Sequence, residues 1–258
     1  MANSKLEKSL GLIRKKIDLI DDQMLSLLED RVSLVIDAEN LKKNTSKGPF
    51  YRPDREKEII RRLQSLNSSS LEDNKIRTIF QDIISACFST AFEIKVAYLG
   101  PEGSFSEKAA KKHFGSSTNF VPCESIREII DSVEDNSEYY GVLPIENSTE
   151  GVVTHTLDLF VESSLKIVAQ IVMPIQHCLV RNNRRTKIRK LYSHPQALAQ
   201  CRVWLQQNMP SVEIIEASST TRAAEMAASE KSSAAIAGSL AAQRYDLQIV
   251  DHLSLIHI

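Results

Sequence analysis

Three charged residues stand where apolar ones belong. Leu6, Leu10, Ile13, Ile17, Ile20, Met24 and Leu27 recur at steps of four and three, which describes one stripe on a helix. Four residues further the stripe reaches Arg31. Lys42 follows eleven residues later, three helical turns plus about 20°, so it shares that face. Val35 and the small Ala38 lie between them and leave room for a pocket flanked by two cations. Glu56 interrupts a second stripe made by Ile59, Ile60 and Leu63. Buried without a partner, such charges cost several kcal/mol each. They need an internal ion pair, a snorkelling path to water, or an anionic ligand, and the spacing alone leaves all three open.

The other half of the chain gathers neutral polar residues at turns. "GPEGSFS" (100–106) follows a strand-like run and opens a helix-like one, so its amides with Ser104 or Ser106 could hold a carboxylate. The same residues could serve only as a turn and an N-cap. "PIENSTEG" (144–151) carries five adjacent polar residues where one cap would suffice, and "SHPQALAQC" (193–201) and "SSTTR" (218–222) repeat that excess. Three such turns on one rim favour a binding cleft over turn chemistry. His155, His177 and His194 read singly as structural, and the basic run "RRTKIRK" (184–190) as a solvated loop.

The elements that must position these residues fall into two sets. The first stripe predicts a helix running to Leu41, roughly 50 Å long. "NTSKGPFYRP" breaks it, Pro53 suits the start of a second helix, and "LNSSSLEDN" precedes a third carrying Ile76, Ile79, Phe80, Ile83, Ile84 and Cys87. Helices so unequal leave much of the first uncovered, which predicts an intertwined dimer. After Phe92 short apolar runs alternate with helical stretches, an α/β pattern. "LKIVAQIVMPIQHCLV" (165–180) reads as a strand-like crossover between two lobes, interrupted at Pro174, with the site in the cleft between them.

Composition narrows the class. The chain has 258 residues, 42% hydrophobic and 25% charged, with room for about two domains. Thirty-two basic residues against thirty-three acidic ones give a net charge of −1, so neither nucleic acid nor a membrane surface is the expected partner. Cys87, Cys123, Cys178 and Cys201 form no C-x-x-C pair and no secretory leader is visible, which places the protein in the cytoplasm. The six His residues show no ligand spacing, so neither a metal nor a cofactor is expected.

Five stretches, "FYRPDRE", "VAYLGPEGSFSE", "GVLPIENSTEGVVTHTLD", "YSHPQALAQCRVWL" and "AAIAGSLAAQRY", resemble the bifunctional chorismate mutase/prephenate dehydratase family of phenylalanine synthesis. The resemblance covers residues 5–252. It implies an all-α chorismate mutase domain over 1–92, an intertwined homodimer, followed over 94–252 by an α/β two-lobed, periplasmic-binding-like prephenate dehydratase domain. In the first, it implies that Arg14 of one protomer joins Arg31, Lys42, Arg55 and Glu56 of the other around chorismate, with Arg52 and Cys87 lining the pocket. The family commonly has Gln or Glu one turn after Cys87, as a donor to the ether oxygen, and here that position is Ala91. In the second, Asn147, Ser148, Ser193, Gln200, Ser219 and Thr220 match the motifs of the prephenate cleft. No Thr-Arg-Phe motif follows "LQIVDH", and the family's ACT regulatory domain has no counterpart. "LSLIHI" departs from the family and back-translates to a sequencing-adapter sequence, so residues 253–258 are expected to be a non-native tail on a shortened chain whose dehydratase is impaired. The competing expectation is a non-enzymatic small-molecule sensor with a helical dimerisation module; a decayed dehydratase beside a working mutase is a third.

Overall fold

The computed structural model describes residues 2–43, 53–92, 94–136, 138–147, 151–182 and 186–253. They form two compact units, Met1–Ile94 with Phe114–Asn119, and Lys95–His113 with Phe120–Ile258.

In the first unit, α1 (Ala2–Lys43) runs unbroken for 42 residues, α2 (Pro53–Ser65) follows, and α3 (Asp73–Ala91) packs against both. Pro53 opens α2, where its missing N–H would have no helical partner anyway. Asp54 and Glu56 sit in the first turn and Arg62 in the last, each matched to the helix dipole. The polar stretch before α3 closes around Asn67, whose Nδ2 donates to Leu71 O at 2.9 Å and to Asp73 Oδ1 at 3.1 Å. Ile60, Ile76 and Cys87 are the buried apolar residues of the three helices. Along α1 the inward positions are Leu28, Arg31, Val32 and Val35, whereas Leu10, Ile13, Ile17, Ile20, Met24 and Leu27 are exposed by 41–67%.

In the second unit, β1 (Lys95–Leu99), α4 (Phe105–Phe114), β2 (Asn119–Cys123), α5 (Ile126–Asp135) and β3 (Tyr139–Val142) build a three-stranded sheet ordered β2-β1-β3. β1 and β3 are parallel, with Lys95 opposite Tyr139. A two-residue pair, β4 (Glu146–Asn147) with β5 (Gly151–Val152), and α6 (Thr154–Glu162) complete this lobe. The second lobe comprises β6 (His177–Arg181), β7 (Lys190–Ser193), α7 (Pro195–Gln200), α8 (Arg202–Asn208), β8 (Glu213–Glu216), α9 (Thr220–Ser229), β9 (Ser233–Ala237), α10 (Ser239–Arg244) and β10 (Gln248–Leu253). Its sheet is ordered β10-β6-β9-β7-β8, with β7 parallel to both β8 and β9 and with β6 antiparallel to β9 and β10.

Alternation explains how that sheet is covered on both faces. Ala235 and Ala237 of β9 join the cluster of Ala223, Ala224, Ala227 and Ala241, while Ala234 and Ile236 face Ala197, Cys201 and Leu205. Both β6 and β9 are buried along their whole length. The run 165–180, expected to be an almost continuous strand-like crossover interrupted at Pro174, is strand only from His177. Residues 163–176 belong to no strand, Leu165 packs against the cluster of Ile126, Ile130 and Leu159, and Ile167 and Val172 remain 65% and 77% exposed. Leu253, assigned by the sequence reading to the tail, ends β10 and is 1% exposed in the core; residues 254–258 lie outside the described residues. Among the described residues no helix is long and apolar enough to cross a membrane.

Candidate functional site

The helical unit holds a cavity of about 420 Å³, a volume usual for a small-molecule site. α1 lines it with Arg31, Val35 and Ala38, α2 with Arg55, Glu56 and Ile59, and α3 with Gln81, Ser85 and Phe88. Phe114, the last residue of α4, and Thr118 just after it add to the lining. Arg31 is half-buried, and its Nη1 is buried with no hydrogen-bond partner. Glu56 is also half-buried. Arg55 directs Nη1 to Glu58 Oε2 at 2.6 Å on the exposed side of α2, a pairing that contributes little to stability.

The other residues predicted for this pocket are placed differently. Arg14 is exposed on α1, seventeen residues before Arg31 and so about 25 Å away along the axis. It does not line this cavity. Neither does Cys87, which is 2% exposed in the helix core, nor Ala91, which is half-buried near the end of α3. Lys42 belongs to α1, but its side chain lies outside the described residues, as does Arg52.

In the α/β unit the polar turns sit at the carboxyl ends of parallel strands, where open α/β sheets bind ligands. Ser193 ends β7, Gln200 ends α7 just beyond it, Ser219 and Thr220 open α9 after β8, and Asn147 follows β3. Their hydroxyls are partly committed. Ser193 is fully buried and its Oγ donates to Ile236 O at 3.0 Å. Ser219 caps α9, its Oγ accepting from Arg222 N at 2.9 Å. Thr220 and Asn147 are half-buried, and Ser148 lies outside the described residues.

In the turn "GPEGSFS" Gly103 N donates to Glu107 Oε2 and Ser104 N to Pro101 O at 3.1 Å, while Gly100 N donates across to Cys123 O of β2 at 2.9 Å. Glu107 N donates to Ser104 Oγ at 3.2 Å, so the motif serves as a turn and an N-cap of α4. The turn also reaches the second lobe: a Cβ on Gly103, whose φ is +89°, would meet Thr221 Cγ2 at 3.1 Å. Glu102 pairs with Arg244, and Lys108 Nζ donates to Ser239 Oγ at 3.3 Å.

Comparison with known proteins matches each half separately. Residues 13–91 match the family described as Chorismate mutase type II, and residues 96–254 match Prephenate dehydratase. The bifunctional chorismate mutase/prephenate dehydratase of Aquifex aeolicus is 42% identical over 248 residues, which are 94% of this chain and 68% of that protein. The chain belongs to the bifunctional chorismate mutase/prephenate dehydratase family. The Pseudomonas aeruginosa member is 40% identical over 93% of this chain and 68% of its own. This chain therefore spans about two thirds of those relatives.

Two solved prephenate dehydratases share the two-lobed, periplasmic-binding-like architecture of the second domain. The Arthrobacter aurescens enzyme, determined with L-Phe, superposes at a TM-score of 0.56 with 28% identity, over 62% of this chain and 55% of that one. The Staphylococcus aureus enzyme gives 0.56 with 27% identity, over 64% and 62%. Membership of this enzyme family favours a catalytic protein over a ligand sensor.

Sequence patterning missed several residues that the folded chain brings to these sites. Ser85 and Phe88 line the helical cavity from α3, and Ser85 Oγ is buried without a hydrogen-bond partner. A polar residue on the inner face of α3 was the available signal. His177, buried on β6, places Nε2 2.9 Å from Gln200 Oε1. Nothing local in the sequence marks that pair.

Proposed function

We propose that residues 1–92 isomerise chorismate to prephenate and that residues 94–252 take prephenate as substrate for dehydration and decarboxylation to phenylpyruvate. The observation that carries the first part is Arg31: a guanidinium on an otherwise apolar helix face that lines one cavity with Glu56 and whose Nη1 is buried without a hydrogen-bond partner. A charge held there is a binding element for a carboxylate of the substrate. The rearrangement breaks an ether bond and needs no covalent enzyme intermediate, so the site's work is to fold chorismate and to stabilise negative charge growing on the ether oxygen. Arg31 grips a carboxylate, Lys42 donates to the ether oxygen, Glu56 accepts from the substrate hydroxyl, and Arg55 and Arg52 complete the polar wall.

Arg14 completes the site from a second chain. It is too far along α1 to reach the cavity of its own protomer, and it lies on the helix whose apolar stripe is exposed in a single chain. An intertwined homodimer through α1 brings the two together. In the second domain Asn147, Ser148, Gln200 and Thr220 contact prephenate, with Ser193 and Ser219 shaping the strand ends that carry them. Four free, buried cysteines suit a reducing cytoplasm.

The test is to give the purified chain chorismate, follow the loss of its ultraviolet absorbance, and assay prephenate and phenylpyruvate separately. Prephenate formation supports the first assignment, and phenylpyruvate formation the second. Arg31→Leu should abolish chorismate turnover while leaving the helices at least as stable, since it replaces a poorly paired charge by an apolar side chain. Retained turnover in that variant would remove Arg31 from the site.

A further inference from the structure

We infer that His177 is a positioning residue of the dehydratase domain: its neutral ring donates from Nε2 to Gln200 Oε1 and thereby fixes which way the Gln200 amide is turned. This rests on the reading of Gln200 as a prephenate contact. The geometry begins with burial. His177 is 4% exposed on β6, a strand buried along its whole length, and its Nε2 lies 2.9 Å from Gln200 Oε1. Its Nδ1 is buried without a hydrogen-bond partner.

That asymmetry chooses the tautomer. A neutral imidazole has one N–H donor and one bare acceptor nitrogen. With the proton on Nδ1, an N–H would be buried unpaired and Gln200 would have to turn its NH₂ inward. With the proton on Nε2, the donor is satisfied, and a bare acceptor nitrogen remains at the orphaned position. Burial pushes the ring's proton affinity below its ordinary value and the contact with Gln200 opposes this less strongly, so the ring stays neutral. Its plane is held by Phe105, edge-on with centroids 5.6 Å apart. Phe105 in turn lies against Gly238, where an added Cβ would come within 3.1 Å of its ring. Phe105 belongs to "GPEGSFS". The motif thus reaches the binding rim through Phe105, His177 and Gln200.

The first measurement is the imidazole ¹⁵N spectrum of the full-length labelled chain. One ring should show the Nε2–H tautomer at pH 7 and keep it below the pH where an exposed histidine protonates. An Nδ1–H tautomer or an imidazolium there overturns the inference. The second is a double-mutant cycle with His177→Phe and Gln200→Ala, read as prephenate affinity by calorimetry, with chorismate turnover by the helical domain as the folding control. Each single change should weaken prephenate binding about tenfold, the double variant no more than Gln200→Ala alone, and His177→Gln, which restores a donor, should recover most of the loss. Additive losses, or a loss in Gln200→Ala alone, overturn the positioning role. Gln200→Ala without loss, or a parent chain that binds no prephenate, overturns the reading of Gln200 instead, and the tautomer then decides the pair by itself.

Discussion

Ser193 and Ser219 carry the same functional group as a catalytic hydroxyl, yet both are engaged by backbone. Ser193 Oγ donates to Ile236 O at 3.0 Å inside a buried sheet, so Ser193→Ala removes a hydrogen bond from that carbonyl. Unfolding in urea should show a loss of about 1–3 kcal/mol; an unchanged midpoint would mean that the hydroxyl serves only ligand. His177 makes a second prediction, with its sign fixed by burial. Its folded-state proton affinity lies below the ordinary value of 6.5, so between the two the unfolded chain binds the proton better. Stability should therefore be full above pH 6.5 and fall as the pH drops below it. His177→Phe should flatten that part of a melting-temperature profile. Arg31 and Glu56 were legible in the sequence because a charge on an apolar stripe violates a pattern that needs no tertiary knowledge. His177 was not, because its partner is 23 residues away on another element, and only the fold brings the two together.

At the scale of elements, the long helix and the start of α2 at Pro53 were readable, since each is set by local periodicity or by a missing N–H. The α/β alternation was readable for the same reason. The run 165–180 was not, because an apolar extended stretch becomes a strand only when a neighbour pairs with it. The turn into α4 shows another limit: its amides and serines suggest a carboxylate site or a helix cap, but nothing in the sequence shows that Gly103 serves a left-handed backbone and a close approach to Thr221. Gly103→Ala should cost about 1–2 kcal/mol from conformation alone, with the crowding at Thr221 added. Calorimetry should register it as a lower melting temperature of the α/β unit, with the helical unit unmoved.

For the whole molecule, a single chain leaves Leu10, Ile13, Ile17, Ile20, Met24 and Leu27 exposed along one helix. A contiguous apolar face of that length is an association surface. Sedimentation should give twice the mass of one chain, and Ile17→Glu, which puts a charge in the middle of the stripe, should return it to one. A parent chain that sediments as a monomer would leave Arg14 with no cavity to complete.

The exposed stripe of α1 also bears on how the two activities respond to concentration. A site completed by Arg14 of another chain obeys mass action, so its specific activity falls on dilution through the dissociation constant of the pair, while a cleft built within one chain keeps its own. Serial dilution would then separate the two halves of one polypeptide without any mutation, and in a cell the balance between making prephenate and consuming it would follow the abundance of the protein itself.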